Sequence, residues 1–149
     1  MRVRAHIATG AVLSGLLFLI FRSLSMAISA FLSSVLIDLD HVLEGYLNYG
    51  RKFNVWDTIK VCENCGLKKV RLFLHSYELL FIYSLAVFWL NLGPVWYGIA
   101  FGLTLHIILD ATVNCLYPNA LFFISRWKAG FDTSKIIDVE AQRKKRRLD

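Results

Sequence analysis

The stretch from Val95 to Leu116, VWYGIAFGLTLHIILDATVNCL, decides the fold. It exceeds the roughly 20 residues that a helix needs to cross a bilayer core, and its only imidazole and carboxylate are His106 and Asp110. These two stand i, i+4 apart and so share one face of a helix. An aspartate near the centre of a membrane helix costs about 2.5 to 3.5 kcal/mol on insertion scales, and such residues turn to a bundle interior or a cavity, where they find a partner. The stretch therefore predicts companion helices that bring polar groups to Asp110.

Three further apolar stretches supply them: Ile7 to Phe21, Leu24 to Ile37 and Leu72 to Leu92. Only Arg22 and Ser23 separate the first two, which predicts a tight helical hairpin. Both reach spanning length if the first begins at Ala5 and the second continues through Asp38. The expected fold is all-α, an integral membrane four-helix bundle. Residues 1–125 form the helical metal-binding domain, with a cytoplasmic loop at about 42–71, and residues 126–149 form a basic cytoplasmic tail. The 149 residues suffice for one compact domain. Their 56% hydrophobic and 19% charged content departs from the usual 25% or so charged in soluble domains. A cleaved signal peptide competes for residues 1–30, since Arg2 and Arg4 precede an apolar run. Cleavage would remove His6 and leave an odd number of helices.

Basic residues set the orientation. Arg2 and Arg4 precede the first helix, Arg51, Lys52, Lys60, Lys68, Lys69 and Arg71 lie between the second and third, and Arg126, Lys128 and the run Arg143 to Arg147 follow the fourth. The opposite turns offer only Arg22 and the uncharged Asn91 to Pro94. The positive-inside rule then puts both termini and the middle loop in the cytoplasm, as in an inner-membrane protein. Trp89 and Trp96 flank the outer turn as interfacial anchors, and Trp127 can serve likewise inside. The net charge of +6 is concentrated in the tail, whose expected partners are anionic lipid headgroups, at about 1 kcal/mol per basic residue. No nucleic acid partner is expected.

On this topology the ionisable residues gather. His6 opens helix one, Asp38, Asp40 and His41 lie where helix two returns inward, and His75, Ser76 and Glu78 open helix three. His106 and Asp110 occupy the middle and inner half of helix four. All four histidines of the chain thus fall in one depth zone, from four helices. Asp38 with His41 and His75 with Glu78 are i, i+3 pairs, each on one helix face. Asp40 leaves the Asp38 and His41 face unless the helix ends or unwinds there. Any one of these side chains alone is a commonplace buried polar group, but convergence from four helices is the pattern of a ligand site in a bundle. The expected ligands are His6, Asp38, Asp40, His41, His75, His106 and Asp110, around one or two divalent ions. Mixed nitrogen and oxygen donors suit zinc, manganese or iron better than calcium. Such an ion acidifies water and polarises a scissile group, with Glu78 or Asp40 as the carboxylate that takes the proton.

The strings His6-Ile-Ala-Thr-Gly10, Asp38-Leu-Asp40-His41, His75-Ser76 and His106-Ile-Ile-Leu-Asp110, in this order and separated by apolar helices, resemble the membrane-bound metal-dependent hydrolase family of the YdjM type. The resemblance runs from residue 6 to about 115. It implies kinship with zinc-dependent phospholipase C and related nucleases, hence hydrolysis of a phosphoester, including a lipid-like substrate. Where family members usually carry a histidine and arginine-glycine string before the His-Ser pair, this chain has Leu72, Phe73 and Leu74.

Two rival readings use the same residues. Intramembrane histidines and carboxylates also mark metal-ion or proton pathways, but a transporter should show midplane ligands with access from both sides, and the outer halves of these helices are almost free of ionisable groups. A non-catalytic membrane scaffold is the other. Cys62-Glu-Asn-Cys65-Gly66 resembles half of a zinc knuckle, which needs four ligands. With Cys115 the cysteine count is odd, so reduced thiols are the default.

Overall fold

A computed structural model describes residues 3–52, 54–56, 61, 62 and 65–148. It is helical, with no strand among the described residues and only two isolated bridges, Lys69 with Asp132 and Leu116 with Ile137. The helices are α1 (Val3–Phe21), α2 (Leu24–Leu36), α3 (Leu39–Tyr49, continued by a 3-10 turn at Gly50–Lys52), α4 (Tyr77–Trp89), α5 (Pro94–Val113), α6 (Phe123–Lys128), α7 (Thr133–Ile136) and α8 (Val139–Leu148). Arg2, Lys60, Glu63 and Asn64, which the sequence reading used, lie outside the described residues.

The chain packs as two compact units, one of Met1–Ile37 with Tyr77–Asp110 and the other of Asp38–Ser76 with Ala111–Asp149. The expected hairpin is present in the first. Arg22 takes a positive φ of 51° between α1 and α2, and the Ser23 hydroxyl caps α2 by accepting the Met26 amide at 3.3 Å.

In this unit α2 packs against both α1 and α5, and against α5 with almost no side-chain volume between backbones. A Cβ on Gly98 would meet the Met26 carbonyl oxygen at 2.3 Å, and one on Gly102 the Ala30 carbonyl oxygen at 2.3 Å. This is the close approach that a small-x-x-x-small spacing permits between membrane helices. Hydroxyls tie the same helices together: Ser14 donates to the Ala27 carbonyl at 2.8 Å and Ser33 to the Ile99 carbonyl at 3.3 Å. Leu17, Met26 and Ala30 form the small apolar core, covered by Leu13 and Tyr97. His6, Ser34, His106 and Asp110 are buried, whereas Ile20, Phe81, Phe88 and Trp89 are each more than 60% exposed.

The second unit builds its core from Leu67, Val70, Ala120 and Ile136. Main-chain bonds join its two chain segments: Val70 N–H to the Phe131 carbonyl at 2.8 Å, and Thr133 N–H to the Lys68 carbonyl at 3.2 Å. Residues 126–149, expected as a tail, contribute Arg126, Thr133, Ile136 and Gln142 to the buried set. The Gln142 side-chain oxygen accepts the Cys115 amide at 2.7 Å. Asp132 caps α7, and the Ser134 hydroxyl and amide that donate to it hold its carboxyl below the usual carboxylate range.

The third expected span needs correction. Instead of running from Leu72 to Leu92, the helix begins at Tyr77 and ends at Trp89, about 20 Å of rise against a hydrocarbon core of about 30 Å. The cause lies in the second unit, where residues 71–76 are held out of helical geometry. Glu44 Oε2 accepts the amides of Arg71 at 2.8 Å and Leu72 at 3.2 Å, Asp40 Oδ2 accepts that of Leu74 at 2.7 Å, and Leu72 takes a positive φ of 42°. Among the described residues, two helical stretches are long and apolar enough to cross a membrane, Leu24–Lys52 and Pro94–Val113, and Ala5–Phe21 and Tyr77–Trp89 are shorter apolar helices.

Candidate metal centre

The structure sorts the expected ligands into two triads, one in each unit. His6, His106 and Asp110, all buried, offer ligand atoms within 4.8 Å of one another, and so do Asp38, His41 and His75. Each triad has the donor types to hold a divalent ion.

In the first, α5 presents His106 and Asp110 on one face, as their i, i+4 spacing predicts, and α1 brings His6. The two imidazoles stack at 3.9 Å, 10° from parallel, and the carboxylate spans them, with His6 Nε2 at 3.5 Å from Oδ1 and His106 Nε2 at 3.4 Å from Oδ2. The other edge of His106 fixes its tautomer. Nδ1 lies 2.8 Å from the Ser34 carbonyl oxygen, which can only accept, so Nδ1 carries hydrogen. Ser34 stands in the last turn of α2, where helix carbonyls lack intrahelical partners.

A neutral His106 then aims the Nε2 lone pair at a carboxylate that also offers only lone pairs. Two arrangements relieve this: an imidazolium at 0% exposure, or a cation between ring and carboxylate. The carboxylate stands 3.4 and 3.5 Å from the two rings, and the three side chains offer ligand atoms close enough together to hold an ion.

The second triad forms where the helix breaks. α2 ends at Leu36 and α3 begins at Leu39, with Ile37 and Asp38 keeping helical dihedrals between them, so Asp38 and Asp40, two residues apart, point to different sides. Asp38 Oδ1 lies 3.8 Å from both His41 Nε2 and His75 Nε2, and the two rings are 5.2 Å apart. Asp40, expected as a ligand or base, stands at the opposite edge of His75. Its Oδ2 is 3.3 Å from His75 Nδ1 and also accepts the Leu74 amide. His75 therefore repeats the pattern of His106, with an acceptor at Nδ1 and a carboxylate facing Nε2. An outer partner that fixes the tautomer of a ligand is the usual companion of a metal-bound histidine.

Glu78, the other candidate base, lies half-buried in the first turn of α4, where the helix dipole favours a carboxylate. Cys62, Cys65 and Cys115 are half-buried and belong to neither triad. The Cys62 carbonyl accepts the Cys65 amide at 3.1 Å, closing a turn.

Two buried charges went unread in the sequence. Glu44, 1% exposed, is i+4 from Asp40, so the shared face of Asp40 and Glu44 was a legible signal. Arg126, 2% exposed, donates from Nη2 to the His75 carbonyl at 2.9 Å, and nothing in its local sequence marks it. Comparison with family models, with curated proteins and with solved structures finds no match.

Proposed function

We propose that this chain is a membrane-embedded, metal-dependent hydrolase acting on a phosphoester or lipid-like substrate at the cytoplasmic face. The observation that carries the metal reading is the pair of rings, His106 and His75, each with acceptors at both edges and a carboxylate opposite Nε2. The motif order from His6 to Asp110 supports hydrolysis through the resemblance to the YdjM-type family. The exposed apolar and buried polar side chains of the first unit support lipid as its surroundings, because a water-facing surface rarely carries such extended apolar area.

His6, His106 and Asp110 hold one ion and Asp38, His41 and His75 another, with zinc first and manganese or iron next. Three protein ligands are the number that leaves a tetrahedral ion one open position. When bound, a divalent ion supplies Lewis-acid chemistry, polarising a phosphoester oxygen and acidifying water. Asp40 holds the His75 hydrogen at Nδ1 and accepts the Leu74 amide, and Glu78 or Asp40 is the carboxylate that takes the proton. The exposed Arg143 and Lys144 on α8 face anionic headgroups. Lys145 of the same run donates to the Val113 carbonyl at 2.7 Å, which anchors the basic helix at the inward end of α5, where a cation also suits the helix dipole.

The test is elemental analysis of the detergent-purified protein beside turnover of a phospholipid and phosphoester panel. Wild type should carry a stoichiometric divalent metal and hydrolyse a member of the panel, and His106→Ala and Asp110→Ala should lose the ion of the first triad together with turnover. A metal-free wild type, or turnover untouched by these substitutions, would sink the reading. Ion flux into proteoliposomes without turnover would replace it with transport.

A further inference from the structure

The loop that delivers His75 is held by charges that ligate nothing. Glu44 spends both carboxylate oxygens on it: Oε2 takes the Arg71 and Leu72 amides, and Oε1 takes the Arg71 guanidinium at 2.8 Å and the Asn48 side-chain amide at 2.8 Å. Arg126 reaches the same loop from α6 and donates to the His75 carbonyl itself, with its guanidinium 5.8 Å from the centre of the Phe123 ring. A buried carboxylate and a buried guanidinium are costly to desolvate, and well-packed apolar residues often replace such groups without loss of stability. Charges kept in such places serve geometry, because hydrogen bonds fix direction where apolar contact does not.

We infer that Glu44 and Arg126 are positioning residues that set the angle at which His75 Nε2 meets Asp38 and His41. The inference rests on the proposal that this triad binds a divalent ion. Without Glu44, the amides of Arg71 and Leu72 lose their acceptor and residues 71–76 are free to join α4, whose apolar sequence continues back through Leu72. His75 would then turn with the helix. Without Arg126, the His75 carbonyl loses the bond that fixes its peptide plane. Asp40 would still engage the ring, so the ligand is misdirected and not abolished.

The experiment is a Co²⁺ titration of the full-length protein in detergent, following the visible ligand-field bands, whose position and intensity report coordination geometry. Asp38→Asn identifies the bands of this triad. Glu44→Gln and Arg126→Gln should shift those bands and weaken their Co²⁺ affinity about 10- to 100-fold, the range for outer-shell partners. Arg126→Lys, which keeps a donor for the carbonyl but not the planar fork, should recover most of both. In metal-free protein, the ¹⁵N shifts of His75 should move in Glu44→Gln and Arg126→Gln and return toward wild type in Arg126→Lys. A merely structural role would lower the folded fraction and leave the bands of the folded protein in place. That result, in either glutamine variant that folds, overturns the inference while the metal reading stands. A wild type that shows no Co²⁺ bands fails the metal reading itself and takes this inference with it.

Discussion

The two triads use the same donors, two imidazoles and one carboxylate, yet they are built by different means. His106 is locked by a main-chain carbonyl at the end of α2, inside helices whose backbones touch at Gly98 and Gly102. His75 is locked by side chains, Asp40 on its ring and Glu44 and Arg126 on its loop. The distances to the carboxylate are 3.4 and 3.5 Å in the first triad; in the second, Asp38 stands 3.8 Å both from His41, three residues along the chain, and from the loop-borne His75.

The first way to break the comparison is to attack the packing. Gly102→Leu places a branched side chain where a Cβ alone would meet the Ala30 carbonyl at 2.3 Å. Overpacking of this kind costs about 1 to 3 kcal/mol and more when backbone must move. The expected outcome is a loss of thermal stability in detergent together with loss of the His6, His106 and Asp110 ion. Retention of that ion with unchanged unfolding would show that helix packing does not set the first site.

The second removes a side-chain clamp. Asp40→Asn substitutes an amide nitrogen for one of the carboxylate oxygens near the Leu74 amide and His75 Nδ1. Co²⁺ affinity of the second triad should fall about 10- to 100-fold, with the first triad unaffected. Equal loss at both sites would mean that the triads are not independently built.

Much of the first site was legible in the sequence, because its signals are local and energetic. Asp110 in an apolar helix demands a partner, and i, i+4 spacing puts His106 beside it whatever the rest of the fold does. The hairpin at Arg22 and Ser23 was legible for the same reason. The Gly98-x-x-x-Gly102 spacing was also there to be read, as a docking face of α5. The second site was harder. Its geometry depends on a helix break at Ile37 and Asp38 that no proline or glycine announces, and on a loop that apolar Leu72, Phe73 and Leu74 disguise as helix. Only the buried acceptors Asp40 and Glu44 keep these residues from extending α4, and the contact from Arg126 joins residues 51 positions apart. Periodicity does not carry such information.

The smallest effect is the most discriminating. Ser34 looks like a functional residue, being 1% exposed and touching His106, but the atom that touches is its main-chain oxygen. Ser34→Ala keeps that oxygen and removes only the hydroxyl, which donates to the Phe31 carbonyl at 2.8 Å within its own helix. A net change of about 1 kcal/mol or less is expected in stability, and metal affinity at His106 should stay within about twofold, since no outer partner is lost. Set beside Asp40→Asn, this separates the two modes of support. A main-chain acceptor is immune to side-chain replacement, and a carboxylate is not. A large loss of metal on Ser34→Ala would mean that the hydroxyl, and not the end of α2, holds His106 in place.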